Sequence, residues 1–110
     1  MASSRLNRVN ELIKITLAEI ISREVELPPG VFATVMKVDT TRDLRYAQVF
    51  VSVFPENKFG KTMEFLQKRI YSVQGELNKK LHMKPLPRIE FVCDHTEAEA
   101  DKIEKMLKEL

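Results

Sequence analysis

Apolar positions follow two different periods along this chain, and the switches between them mark out its elements. Leu6, Val9, Ile13, Leu17, Ile20 and Ile21 recur at steps of three and four, which places them on one face of a helix. The spacing predicts a helix from about Ser4 to Val25, with Ser3 or Ser4 as N-cap, because a hydroxyl there can accept a first-turn N–H. Leu27-Pro28-Pro29-Gly30 ends it, since proline lacks the backbone donor.

The period then changes. Val31 to Asp39 is rich in β-branched residues, and Tyr46 to Phe54 alternates, the signature of a strand with two distinct faces. Ala47, Val49, Val51 and Val53 share one face; Gln48, Phe50, Ser52 and Phe54 share the other. The short polar link Thr40-Thr41-Arg42-Asp43-Leu44-Arg45 predicts an antiparallel hairpin.

Helical spacing returns after Pro55. Phe59, Met63, Leu66, Ile70, Val73, Leu77 and Leu81 predict one long helix from about Asn57 to Leu81, packed by this stripe onto the sheet. Lys61, Lys68 and Lys79 point away from the stripe, with Ser72 and Gly75 near the same line, so one helix face offers a row of ammonium groups. Met83-Lys84-Pro85-Leu86-Pro87 breaks the helix, and Ile89, Phe91 and Cys93 alternate in a third strand, Cys93 pointing inward as a small buried residue. Thr96-Glu97-Ala98-Glu99 is a capping box, opening a last, mostly acidic helix with Ile103, Met106, Leu107 and Leu110 on its apolar edge.

The order is thus α-β-β-α-β plus a C-terminal helix. It predicts an α+β fold in which helices cover one face of a three-stranded sheet, an order shared with the type II K-homology (KH)-like arrangement. With 110 residues one core is expected, taken as a single domain over 1–110 with its core in 1–95 and the last helix in 96–110. No apolar run approaches the length needed to span a bilayer, and the start has no apolar signal region. One cysteine, Cys93, allows no internal disulfide, and a cytoplasmic location is expected.

The net charge of +2 conceals an uneven distribution. Residues 1–57 balance, residues 58–88 hold eight basic against two acidic groups, and residues 89–110 hold seven acidic against three basic groups. The central block suits a polyanion, although a solvated lysine-rich helix carries the same charge.

Catalysis finds little support. His82 and His95 stand 13 residues apart without a metal-ligand pattern. Gly30, Gly60 and Gly75 are isolated, so no glycine-rich phosphate loop exists, nor the G-x-x-G loop with which KH domains grip nucleotides. Tyr46 and Phe50 are as compatible with a core as with an RNA-stacking surface. No enzyme, cofactor or metal is expected. Contact with RNA phosphates through the basic helix face is favoured over a general acidic partner, and such contacts position a protein without reading sequence.

Three stretches resemble the ribosome-binding factor A family. Asp39 to Val53 is similar to its hairpin signature, an Asp-Leu-x-x-Ala pattern leading into an alternating valine strand. Arg5-Leu6-Asn7-Arg8-Val9 is similar to its Arg-x-x-Arg-Val opening helix, and Pro87 to Asp94 to its proline-led last strand. The resemblance implies a type II KH-like fold, binding to the free small (30S) ribosomal subunit and its rRNA, maturation of the 5′ region of 16S rRNA, a role in the cold, and no catalytic activity. A monomer without membrane contact is expected, and whether a GTPase partner drives release stays open. The RNA-contacting cations it implies are Arg5 and Arg8, Arg42 and Arg45 at the hairpin, and the block of Lys68, Arg69, Lys79, Lys80, Lys84 and Arg88; the helix face adds Lys61 and Gly75 as candidates. The family kinks its long helix at Ala-x-Gly; the equivalent Arg69-Ile70-Tyr71 does not match, and any kink is expected at Gly75. A general structured-RNA-binding module, and an adaptor docking through the acidic last helix, are the alternatives.

Overall fold

The computed structural model describes residues 4–83 and 86–94. The capping box and the acidic helix expected over 96–110 lie outside the described residues, as do Lys84, His95 and the side chain of the expected N-cap. The elements are α1 (Ser4–Glu24), β1 (Phe32–Thr40), β2 (Tyr46–Phe54), a 3-10 turn (Glu56–Lys58), α2 (Phe59–Lys68), α3 (Ile70–Lys80) and β3 (Arg88–Cys93).

The sheet order is β1-β2-β3. β1 and β2 form the expected antiparallel hairpin, while β3 runs parallel to β2, with Tyr46 opposite Arg88 and Val51 opposite Cys93. A parallel neighbour needs a long crossover, which α2 and α3 supply. α1 packs on β1 and α3, α2 on β2 and β3, and α3 on β3. Between the layers lie Ile13, Leu17 and Ile20 of α1, Ala47, Val49 and Val51 of β2, and Leu66, Val73 and Leu77 of the crossover helices, all buried. This is the α+β arrangement anticipated from the element order, and it is consistent with the KH-like fold that the resemblance implied.

β1 contains a bulge. Val35 pairs with Val51 but Lys37 pairs with Phe50, leaving Met36 as the extra residue. The bulge is needed because the inward residues change parity: Ala33 and Val35 before it, Val38 and Thr40 after it. Without it, one of the two sets would face water.

The single long helix expected over 57–81 is corrected: it is two helices, and the break falls at Arg69 rather than Gly75. Arg69 takes φ −103° and ψ 5°, and its N–H turns to the Leu66 carbonyl at 3.0 Å, one residue short of the α-helical acceptor. The Phe65 carbonyl, deprived of that N–H, accepts from Arg69 Nη1 at 3.3 Å. The same guanidinium lies over the Phe65 ring, 3.4 Å from its centroid. One side chain thus repairs the hydrogen bond that its own backbone gave up. Gly75 lies inside α3, which continues unbroken to Lys80.

One open alternative is decided and one expectation changes. Tyr46 is exposed and Phe50 half-buried on the outer face of the sheet, where the Lys37 ammonium sits 4.5 Å from the Phe50 ring; neither is core. Cys93 is half-buried rather than fully inside, and burial, with the nearby Asp94 charge second, pushes its thiol pKa upward.

Candidate nucleic-acid interface

The hairpin end of the sheet is built by short-range polar bonds. Leu44 N donates to Thr41 O at 2.9 Å, and Leu44 sits at φ 60°, a left-handed conformation that a non-glycine residue adopts at some cost. Asp43 stabilises the turn: its Oδ1 accepts from Thr41 Oγ1 at 2.6 Å and from Arg45 N at 3.1 Å. Those two hydrogen bonds hold its carboxyl below the usual carboxylate range. Arg42 and Arg45 are displayed on this turn, both exposed, with Arg45 Nε 3.8 Å from Asp43 Oδ2.

Four longer-range bonds bring other cations towards the same end. Arg88 N donates to Arg45 O at 2.9 Å, making neighbours of two arginines far apart in sequence. Asn10 Oδ1 accepts from Thr40 N at 2.9 Å, tying the first half of α1, with exposed Arg5 and Arg8, to the hairpin end of β1. Gln74 Oε1 accepts from Ile89 N at 2.8 Å, and its Nε2 donates to Pro87 O at 3.2 Å. This Gln74 clamp fixes α3 against the start of β3. Lys79 and Lys80 occupy the last turn of α3, where cations also favour the helix dipole.

The lysine row is divided by the break. Exposed Lys61 and Lys68 stand on α2, and exposed Lys79 and Lys80 on α3. Lys79 Nζ lies 3.5 Å from Glu76 Oε1, with its side chain 76% exposed, a geometry worth little in water. Lys61, Lys68 and Lys80 make no ion pair among the described residues. Arg69 differs from the rest: half-buried and stacked on Phe65, it holds the break and does not project with the lysines.

Sequence reasoning passed over Tyr71, which is 90% exposed on the first turn of α3. Its absence from the apolar stripe was the available signal. Among the described residues no cluster of His, Cys, Asp and Glu is placed to hold a metal ion, and no helix is long and apolar enough to cross a membrane.

The fold is a KH-like α+β domain with exposed cations on both sides of a broken crossover helix, a surface whose charge suits phosphates. The family model of ribosome-binding factor A matches residues 5–107, and the chain belongs to that family. It is 33% identical to ribosome-binding factor A of Natranaerobius thermophilus, over all of this chain and 85% of the relative. To that of Bdellovibrio bacteriovorus it is 34% identical over 96% of this chain and 80% of the relative. The crystal structure of the Thermus thermophilus factor superposes with a TM-score of 0.69 at 25% identity, covering 80% of this chain and 94% of that one. A homology model of the Thermus thermophilus factor, fitted into a cryo-EM map of its complex with the 30S subunit, superposes with a TM-score of 0.64 at 26% identity, covering 77% and 90%.

Proposed function

We propose that this chain binds rRNA on free 30S subunits and assists their late maturation, including processing of the 5′ region of 16S rRNA. The observation that carries this reading is the set of exposed cations on α2 and α3, Lys61, Lys68, Lys79 and Lys80, continued by Arg45 and Arg88 at the hairpin end. Membership of the ribosome-binding factor A family and the 30S complex of the Thermus thermophilus relative support the subunit as its destination. The protein works by occupying rRNA as a monomeric cytoplasmic domain, without a cofactor and without catalysing a reaction, and its contribution is greatest in the cold.

Phosphate contact makes binding depend on salt through counterion release. With about five cations engaged, log K falls against log[salt] with a slope on the order of −4. The test is co-sedimentation with free small subunits, comparing the wild type with Lys68→Glu/Lys79→Glu/Lys80→Glu. The triple variant should lose most of its binding and flatten the salt slope. Undiminished binding would remove the basic helix face from the reading. Equal affinity for subunits and for arbitrary duplex RNA would favour a general RNA-binding module instead.

A further inference from the structure

Tyr71 is the most exposed of the large hydrophobic side chains among the described residues, at 90%. Two neighbours towards the C-terminal end of α3 leave its ring bare. Gln74, three residues on, has its side chain drawn to Pro87 and Ile89. Gly75, four residues on, has none. Side chains on a helix lean towards its N-terminus, so a residue at 75 would reach towards the surface beside Tyr71.

Gly75 has no structural reason to be glycine. It lies in the interior of α3, positive φ among glycines is found at Gly30 alone in the described residues, and a Cβ built at Gly75 meets nothing within 4 Å. Glycine is the weakest helix former after proline, so the helix gives up stability here with no packing gain. What it obtains is open space beside an aromatic ring, between Lys68 on one side of the break and Lys79 further along α3.

We propose that Tyr71 is a stacking platform for an unpaired RNA base, with Gly75 keeping the approach to its ring clear while Lys68 and Lys79 meet the flanking phosphates. This rests on the reading of the basic helix face as an RNA surface and adds the kind of RNA it takes. Bases in a duplex already stack on one another, so a bare ring gains from RNA whose bases are free, and stacking on an aromatic is tolerant of sequence.

Fluorescence anisotropy with two labelled probes, a single-stranded oligoribonucleotide and a blunt RNA duplex, tests the assignment. Tyr71→Ala should weaken binding of the single strand about tenfold and leave the duplex unchanged, while Tyr71→Phe, which keeps the ring, should bind both like the wild type. Gly75→Ala should raise Tm by about 4 °C and yet weaken the single strand, opposite signs that a purely structural role would not produce. Equal single-strand binding by Tyr71→Ala and the wild type would overturn the proposal, as would a loss in Tyr71→Phe equal to that in Tyr71→Ala. If Lys68→Glu/Lys79→Glu loses both probes while Tyr71→Ala loses neither, the basic face stands and the platform falls. If the charge reversal changes nothing, both fall.

Discussion

The guanidinium of Arg69 covers the ring of Phe65 at 3.4 Å and hydrogen-bonds the Phe65 carbonyl at 3.3 Å, so one side chain both marks and stabilises the break between α2 and α3. Arg69→Ala should therefore lower stability by about 1 kcal/mol or more, the sum of a partly desolvated cation–π contact and a hydrogen bond to a charged donor. Arg69→Lys should recover less than half, since an ammonium cannot lie flat on a ring and donate sideways. Urea unfolding measures both, read as a shift in midpoint at constant slope. An unchanged midpoint in Arg69→Ala would mean that packing alone holds the break.

Thr40 is held by its backbone and frustrated at its side chain. Its N–H reaches Asn10 Oδ1 at 2.9 Å, whereas its buried Oγ1 has no hydrogen-bond partner among the described residues. Thr40→Val keeps the β-branched shape and removes the unsatisfied hydroxyl, and should stabilise by about 1 kcal/mol. Asn10→Ala should do the reverse, costing about 1–2 kcal/mol by stranding the Thr40 N–H. Thermal melts of the two variants should move in opposite directions.

Gln74 bonds to Asn78 Oδ1 at 3.1 Å as well as to Pro87 O and Ile89 N. Gln74→Ala should cost about 2 kcal/mol and speed hydrogen exchange at the Ile89 amide well before the core of β2 is affected. Exchange at Ile89 as slow as in the wild type would show that the strand pairing of β3 suffices without the clamp.

Asp43 makes the hairpin turn sensitive to acid. Its pKa is depressed below the ordinary 3.8 by the Thr41 hydroxyl and then the Arg45 amide, so the folded turn favours the carboxylate. The stabilisation is present above the ordinary value and is lost as pH falls through the lower, folded one. An NMR titration should show the Arg45 amide shifting with a midpoint below 3.8, and Asp43→Asn should abolish that transition. A midpoint above that value would contradict the turn geometry.

Most of the secondary structure was legible because periodicity reports on one element at a time. The stripe Leu6 to Ile21 and the alternation Ala47 to Val53 each present a face to the core whatever lies opposite, and both are buried as anticipated from Val9 to Ile21 and from Ala47 to Val53, with Leu6 half-buried. The β1 bulge was legible in principle too, in the parity change between Val35 and Val38. The break at Arg69 was not: the stripe Leu66, Ile70, Val73, Leu77 runs through it without interruption, and the signal there is a backbone turn of a single residue, which leaves no trace in the pattern. The break falls at the family's usual kink position, Arg69, although the Ala-x-Gly residues are missing there and the kink was expected at Gly75 instead.

The candidate interface divides in the same way. The excess of cations over residues 58–88 is a property of the chain alone, and so is the absence of a glycine loop. That Arg45 adjoins Arg88, that Lys68 and Lys79 stand on different helices, that Arg69 turns inward to Phe65 and that Tyr71 stands bare were decided by tertiary structure. Each depends on hydrogen bonds or contacts made across the fold or within a distorted turn: Arg88 N to Arg45 O, Arg69 Nη1 to Phe65 O, and Gln74 to the start of β3. Local spacing assigns a residue to a face; only the packed chain determines what that face meets.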